Sequence, residues 1–352
     1  MMSLLSDTIR LRKRFPTWLL PALGYAVSAA GLVWVLRDTR LRDSADHFLH
    51  LNWFWVALAL IFEVVANYCH GWRWRIILRP AEDVPRWRCF QSVLIGNFAN
   101  KVLPAKGGEA IRVYLLTHWT KVDLPLSISS AAIEAVIDGI WLVATYFLVT
   151  IGVANLPRDL AGLAWAIGIA VALLSILFLY LLFHKQHSHR MVSGHKWASQ
   201  FIHFLDELHK MGEPRALTAA FGVSFLYILF QTLSAWALLH ADQYDFDIRQ
   251  AALIVVAFRI GTLIPNAPGN FGALQFFTAL GVWLAGGEKG PAKQFGEVNF
   301  AFITLAHLLQ GGIAILLTGV NLAELRRHAY HAHETARFPA GSVRGNHAGR
   351  TP

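Results

Sequence analysis

Residues 101–112 read Lys-Val-Leu-Pro-Ala-Lys-Gly-Gly-Glu-Ala-Ile-Arg, a charged cluster in a chain that is otherwise largely apolar. Gly107 and Gly108 stand where a helix would restart after Pro104, so its unpaired N–H groups and positive dipole end could meet an anion. Lys106 and Arg112 would add positive charge there. Glu109 and Arg112 are three residues apart and share a helical face. Glu109 could orient Arg112, whose fork could then hold a phosphate with two hydrogen bonds. In the plainer alternative the two neutralise each other inside a packed bundle. Lys101 and Lys106 could instead snorkel toward an interface. Glu134 and Asp138 are four apart on a later apolar stretch and face the same way. They could pair with Arg112 or Arg259, relay a proton, or sit near the interface. Glu63 lies alone in its apolar stretch and is a further candidate.

These groups are notable because of what must carry them. The chain has 352 residues, 55% hydrophobic and 15% charged, with a mean hydropathy of +0.43. Soluble domains carry about 25% charge. Leu160–Phe183 and Ala216–Leu239 each run 24 residues without a charge, and Val298–Ala323 runs 26, interrupted only by His307. Each exceeds the roughly 20 residues needed to cross a hydrocarbon core. The pattern predicts an all-α integral membrane protein, since a β-barrel would show short alternating segments. Full spans are expected at 17–36, 51–73, 124–152, 159–183, 216–240 and 298–322. Two further regions are interrupted: 89–119 at Pro104 and Gly107-Gly108, and 250–287 at Pro265, Pro268, Gly269 and Gly272. Each predicts either a re-entrant helical hairpin or two short tilted spans. The shorter halves are too short for a ~30 Å core.

Span, broken hairpin and span occur at about 51–152 and again at about 216–322. One span separates the units, which makes the second inverted relative to the first, a transporter design. Residues 1–325 are expected to form a single transmembrane domain, and 326–352 a disordered tail.

The net charge of +9 does not point to nucleic acid. With the N-terminus inside, the inner segments hold 20 Lys and Arg and the outer ones seven. The bias predicts cytoplasmic N- and C-termini, and inner-leaflet anionic lipid adds attraction. The four left over, Lys101, Lys106, Arg112 and Arg259, all fall in the interrupted regions. The acids at membrane depth are Glu63, Glu109, Glu134 and Asp138. Charges at that depth are costly and usually face a cavity or a partner, so a shared cavity is expected, with the breaks near Pro104 and Pro265 meeting at mid-bilayer.

Other signals carry less. Cys69 and Cys89 read as packing residues. The apolar stretch from Thr17 is too long for a signal peptide core. The KGGE stretch lacks the phosphate-loop pattern. The His groups at 184–189 and 328–333 resemble metal tracts but fall in a loop and a tail, and no metal site or cofactor is expected. Residues 196–211 carry Trp197, Phe201, Phe204, Leu205 and Leu208 on one face, predicting a helix on the inner membrane surface. No catalytic residue set can be assembled, so enzymatic activity is not expected.

The pattern R-W-R-x-x-L at 73–78, then G-N-F-x-N-x-x-L-P-x-x-x-G-E-x-x-R at 96–112, together with P-x-x-P-G-x-x-G at 265–272, resembles the lysylphosphatidylglycerol synthase transmembrane, or flippase-like, family. That family includes the flippase domain of the multiple peptide resistance factor and stand-alone membrane proteins, one of them associated with hopanoid biosynthesis. The resemblance covers about 15–325. It implies a transporter moving a phospholipid or other amphipathic lipid with a charged or phosphate-bearing head group between leaflets of a bacterial inner membrane. Hairpin one would hold the head group through Lys106, Gly107, Gly108, Glu109 and Arg112. Hairpin two, with Arg259, Gly269 and Gly272, would form the opposite gate. The chain departs from the family pattern at Ala135, where an Arg usually follows the Glu, and at Asn270 and Gln275. The aminoacyl-transferase domain is absent, so lipid aminoacylation is not expected. The alternative is a non-transporting partner of a biosynthetic enzyme in lipid, hopanoid or polyprenyl-glycan assembly.

Overall fold

The computed structural model describes residues 47–103, 107–150, 206–263 and 267–320, and six further helical positions, 29, 33, 169, 173, 176 and 180. The expected spans 17–36 and 159–183, the tail, both His groups, Pro104, Ala105, Lys106 and Pro265 lie outside the described residues, apart from those six positions.

Among the described residues, eight complete α-helices follow in order: α1 Trp53–Leu78, α2 Arg86–Val102, α3 Gly107–Trp119, α4 Leu124–Thr150, α5 Pro214–Ala241, α6 Ile248–Leu263, α7 Ala273–Leu284 and α8 Lys289–Thr318. A short 3₁₀ turn, Pro268–Asn270, precedes α7. Of these, α1, α4, α5 and α8 are long and apolar enough to cross a membrane. The protein is an all-α integral membrane protein.

Local chemistry explains the boundaries. Asn52 caps α1 through its side-chain oxygen, which accepts from the Phe54 N–H at 3.1 Å. Pro80 follows closely after α1 ends. Pro85 sits just outside α2. Leu103 leaves the helical region (φ −97°, ψ 145°) because Pro104 disfavours a helical residue before it. Pro214 opens α5, where its missing N–H costs nothing. Gly319 ends α8 at φ 66°, the left-handed conformation that glycine adopts without strain.

Two expected spans have different limits. The first runs on to Leu78, because no Gly-Pro or turn signal interrupts it before Pro80, and this carries Arg73 and Arg75 into the helix. The last begins at Lys289, nine residues ahead of the apolar stretch that announced it.

The two units pack by one scheme. α2 lies on α3, and α6 on α7. α3 lies on α4, and α7 on α8. α2 also crosses to α8 of the other unit, as α6 crosses to α4. The corresponding helices α1 and α5 form the most extensive pair. Their contacts run in opposite numerical order: the Asn52 N–H donates to the Ala241 carbonyl at 3.0 Å, the Ser234 hydroxyl to Ala59 O at 2.9 Å, and Arg73 Nη1 to Ser224 Oγ at 3.3 Å. Equivalent helices running antiparallel are what an inverted repeat requires.

The interrupted hairpins meet. The 3₁₀ turn packs on α2, and a Cβ placed on Gly269 (φ 68°) would lie 3.3 Å from the Lys101 carbonyl. Within hairpin one, a Cβ on Gly108 would come within 1.9 Å of the Gly96 carbonyl, so two backbones touch where side chains could not fit. The described end of the expected surface helix, 206–211, turns Leu208 and Met211 into the protein core beside Trp74, Ile77 and Leu116. For those two residues the apolar face serves packing, which corrects the expectation that it lies on the membrane.

Candidate functional site

The sequence of α1 places Glu63, Asn67 and His70 at i, i+4 and i+7, a polar stripe on an otherwise apolar helix. Glu63 stands ten residues from the start of α1, and Glu134 ten from the start of α4. Ten residues of helix rise about 15 Å, half of a ~30 Å hydrocarbon core. Around these positions lies a cavity of about 690 Å³ whose walls include Glu63, Lys101, Glu109, Arg112, Glu134, Asp138 and Arg259. All four acids expected at membrane depth line it, as do three of the four hairpin cations; the fourth, Lys106, is outside the described residues. Apolar side chains, among them Leu142, Phe258, Leu263 and Phe302, complete the wall.

One side of the cavity is a continuous ionic chain. Arg112 Nε lies 2.7 Å from Glu109 Oε2, and Arg112 Nη1 lies 2.9 Å from Glu134 Oε2. Glu134 Oε1 meets Arg73 at 3.2 Å. Arg73 then grips Asp138 with both ends of its fork, Nη2 to Oδ2 at 3.2 Å and Nη1 to Oδ1 in shorter contact. Arg112 is held further by His70, whose Nε2 is 3.0 Å from Nη1, and by the Trp74 ring, whose centroid is 4.8 Å away. Arg73 and Glu134 are buried. Two cations against three anions, each in direct contact with an opposite charge, is the arrangement that makes ions at this depth tolerable.

Arg73, one of the 20 inner basic residues, belongs to this ionic chain. Removing it leaves nineteen inner against seven outer, and the bias survives. Arg73 and His70 are the residues the charge pattern missed. The i, i+4, i+7 polar stripe leading to them was a readable signal.

In hairpin one the backbone of Gly108 is already engaged within the protein. Its N–H donates to Asn100 Oδ1 at 2.9 Å, and its missing side chain admits Gly96. Gly107 opens α3 against Leu103. Gly272, at φ 82°, donates its N–H to Gln275 Oε1 at 2.6 Å and so starts α7. Gln275 thus works as a helix cap at one of the positions where the chain departs from the resembled pattern.

Two cavity cations differ from Arg73 and Arg112. Arg259 Nε donates to Gln231 Oε1 at 2.9 Å, with Nη2 also on that oxygen, and its guanidinium lies 4.9 Å from the Tyr227 ring. Neither partner carries a negative charge, and among the described residues Arg259 has no ion pair. Lys101 has neither an ion pair nor a side-chain hydrogen bond among them, with Glu63 its nearest electrostatic counterpart. One cation comes from each hairpin. His307 Nε2 lies 3.2 Å from Glu63 Oε1. Asn67 Nδ2 lies 3.4 Å from the same oxygen and donates to Gln310 Oε1 at 3.1 Å, and Asn97 donates to Asn67 Oδ1 at 3.0 Å. Cys69 and Cys89 are buried free thiols, and no cluster of metal-ligating side chains occurs among the described residues.

Antiparallel units, interrupted helices and a charged cavity between them define a multi-pass membrane protein built as an inverted repeat. The chain belongs to the family described as the lysylphosphatidylglycerol synthase TM region, which matches residues 22–317. It is similar to a UPF0104 membrane protein of Methanocaldococcus jannaschii, 30% identical over 99 residues, which is 27% of this chain and 30% of the relative. A UPF0104 membrane protein of Methanothermobacter thermautotrophicus is 29% identical over 100 residues, 28% of this chain and 26% of that protein. These alignments span less than a third of either relative.

Proposed function

We propose that this protein translocates a lipid with an anionic, phosphate-bearing head group between the leaflets of a bacterial inner membrane, with both termini cytoplasmic. The observation that carries the reading is the pair Lys101 and Arg259. Each lines the cavity from a different interrupted hairpin, and among the described residues neither has a direct carboxylate contact. Arg112, the expected head-group ligand, supports the site from behind, because its Nη1 and Nε are engaged by Glu134 and Glu109. The apolar part of the wall suits acyl chains. A cation at this depth costs about 3 kcal/mol on insertion scales, and an arriving phosphate offsets that cost. The non-transporting alternative has no feature of the site in its favour.

Reconstitution tests the reading. Purified protein in liposomes should speed leaflet exchange of fluorescent phosphatidylglycerol over phosphatidylcholine, without any partner protein. The Lys101→Gln/Arg259→Gln double variant should lose that exchange while inserting normally. Exchange equal to protein-free liposomes, or an undiminished double variant, overturns the proposal.

A further inference from the structure

A second titratable cluster lines the cavity, and it spans the two units. Glu63 belongs to α1 of the first unit and His307 to α8 of the second, yet Oε1 and Nε2 are 3.2 Å apart. Asn67 and Gln310 repeat the same crossing at 3.1 Å, and Asn97 ties α2 to it. Both Glu63 and His307 line the cavity.

The described members of the ionic chain have little capacity to take up a proton. Arg73 and Arg112 are guanidinium groups, which stay charged. Glu134 is held by both. His70 Nε2 is shared between Arg112 Nη1 at 3.0 Å and Glu134 Oε1 at 3.5 Å, so a proton there would face a guanidinium as well as a carboxylate. His307 contacts a carboxylate, Glu63, and among the described residues no guanidinium. Uptake of one proton turns its imidazole into an imidazolium whose Nε2–H points to Glu63. The contact between the units then becomes a charged pair, and it reverts to a neutral-imidazole hydrogen bond when the proton leaves.

We propose that Glu63 and His307 form a proton-binding site that couples proton movement to lipid movement, one proton accompanying each anionic head group. The inference rests on the lipid-translocating reading above. The groups facing the pair make the coupling positive. From α2, Lys101 is the cation nearest Glu63, and from α5, Tyr227 is within electrostatic reach. From α1 and α8 come His70 and the neutral Asn67 and Gln310. Glu134 and Asp138 on α4 are already paired with arginine, and α7 contains no titratable side chain. An anionic head group that engages Lys101 removes positive charge from Glu63 and favours protonation of His307. By linkage, protonation of His307 favours the anion to the same degree.

The experiment uses liposomes with the membrane potential clamped by potassium and valinomycin, fluorescent phosphatidylglycerol, and a pH step of one unit. One proton per lipid would drive up to about tenfold lipid asymmetry, since one pH unit is a factor of ten. Glu63→Gln and His307→Gln should build no asymmetry under the pH step. Wild-type exchange that ignores the pH step, or a Glu63→Gln protein that still builds asymmetry, overturns the proton site and leaves the transport reading standing. Wild-type protein that exchanges no lipid overturns the transport reading and the coupling with it. The proton site itself is then decided by infrared titration of the purified protein between about pH 5 and 8. An imidazolium signal lost in His307→Gln is the expected result, and its absence from wild type overturns the site.

Discussion

Arg112 Nη1 and Glu134 Oε2 lie 2.9 Å apart, joining the first interrupted hairpin to the long helix that follows it. Arg112 is nearly buried and Glu134 almost wholly so. Removing the arginine leaves Glu109 alone and Glu134 dependent on Arg73. Breaking a buried pair on one side costs about 3–5 kcal/mol. Arg112→Ala should therefore lower the thermal midpoint in detergent sharply, and Arg112→Lys nearly as much, because an ammonium cannot span both carboxylates in the same fork. A midpoint unchanged in Arg112→Ala would refute the structural role.

A hairpin glycine in close contact and a glycine facing open space predict opposite outcomes. Gly108→Ala forces a methyl group into the Gly96 carbonyl and the Asn100 side chain. It should separate α2 from α3 and reduce folded yield, with a loss of at least about 1–3 kcal/mol for an overpacked site. Gly222→Ala on α5 meets nothing within 4 Å and should leave stability unchanged or raise it by about 0.5–1 kcal/mol. Thermal unfolding of the two variants side by side makes the comparison.

Water access distinguishes the cavity wall from the outer surface. A single cysteine at Ala135, which lines the cavity, should react with a small water-soluble thiol reagent in a background lacking Cys69 and Cys89. A cysteine at Leu305, exposed on the outer face of α8, should stay unmodified in membranes. Equal labelling at both positions would remove the case for a wet interior.

Asp242, just beyond α5, lies 2.5 Å from His47, and burial raises its carboxyl from 3.8 to about 6, with His47 opposing the shift. The folded state thus holds this proton more tightly than the unfolded chain. The stabilisation is complete below the ordinary carboxylate value and is lost as pH rises through about 6. Stability should fall between about pH 4 and 6, by up to roughly 3 kcal/mol from this group. Asp242→Asn should flatten that slope. A slope that persists in the variant assigns it to other groups.

The sequence by itself determined the class, the number of units and their inversion. Apolar runs longer than a bilayer and prolines that break helices are local properties, and the positive bias at span ends is a simple sum. It also marked which ions must share a cavity, because ions at that depth need one another. The tertiary structure alone decided which ion meets which. Arg73 is 61 residues from Glu134 and 65 from Asp138, and Glu63 is 244 from His307. No local spacing encodes pairs so distant; they follow from α1 packing against α4 and α8. The same packing explains why Gly108 serves backbone contact while Lys101 and Arg259 keep their charge free for the cavity. Residue type fixed the stock of charges, and helix crossing fixed their partners.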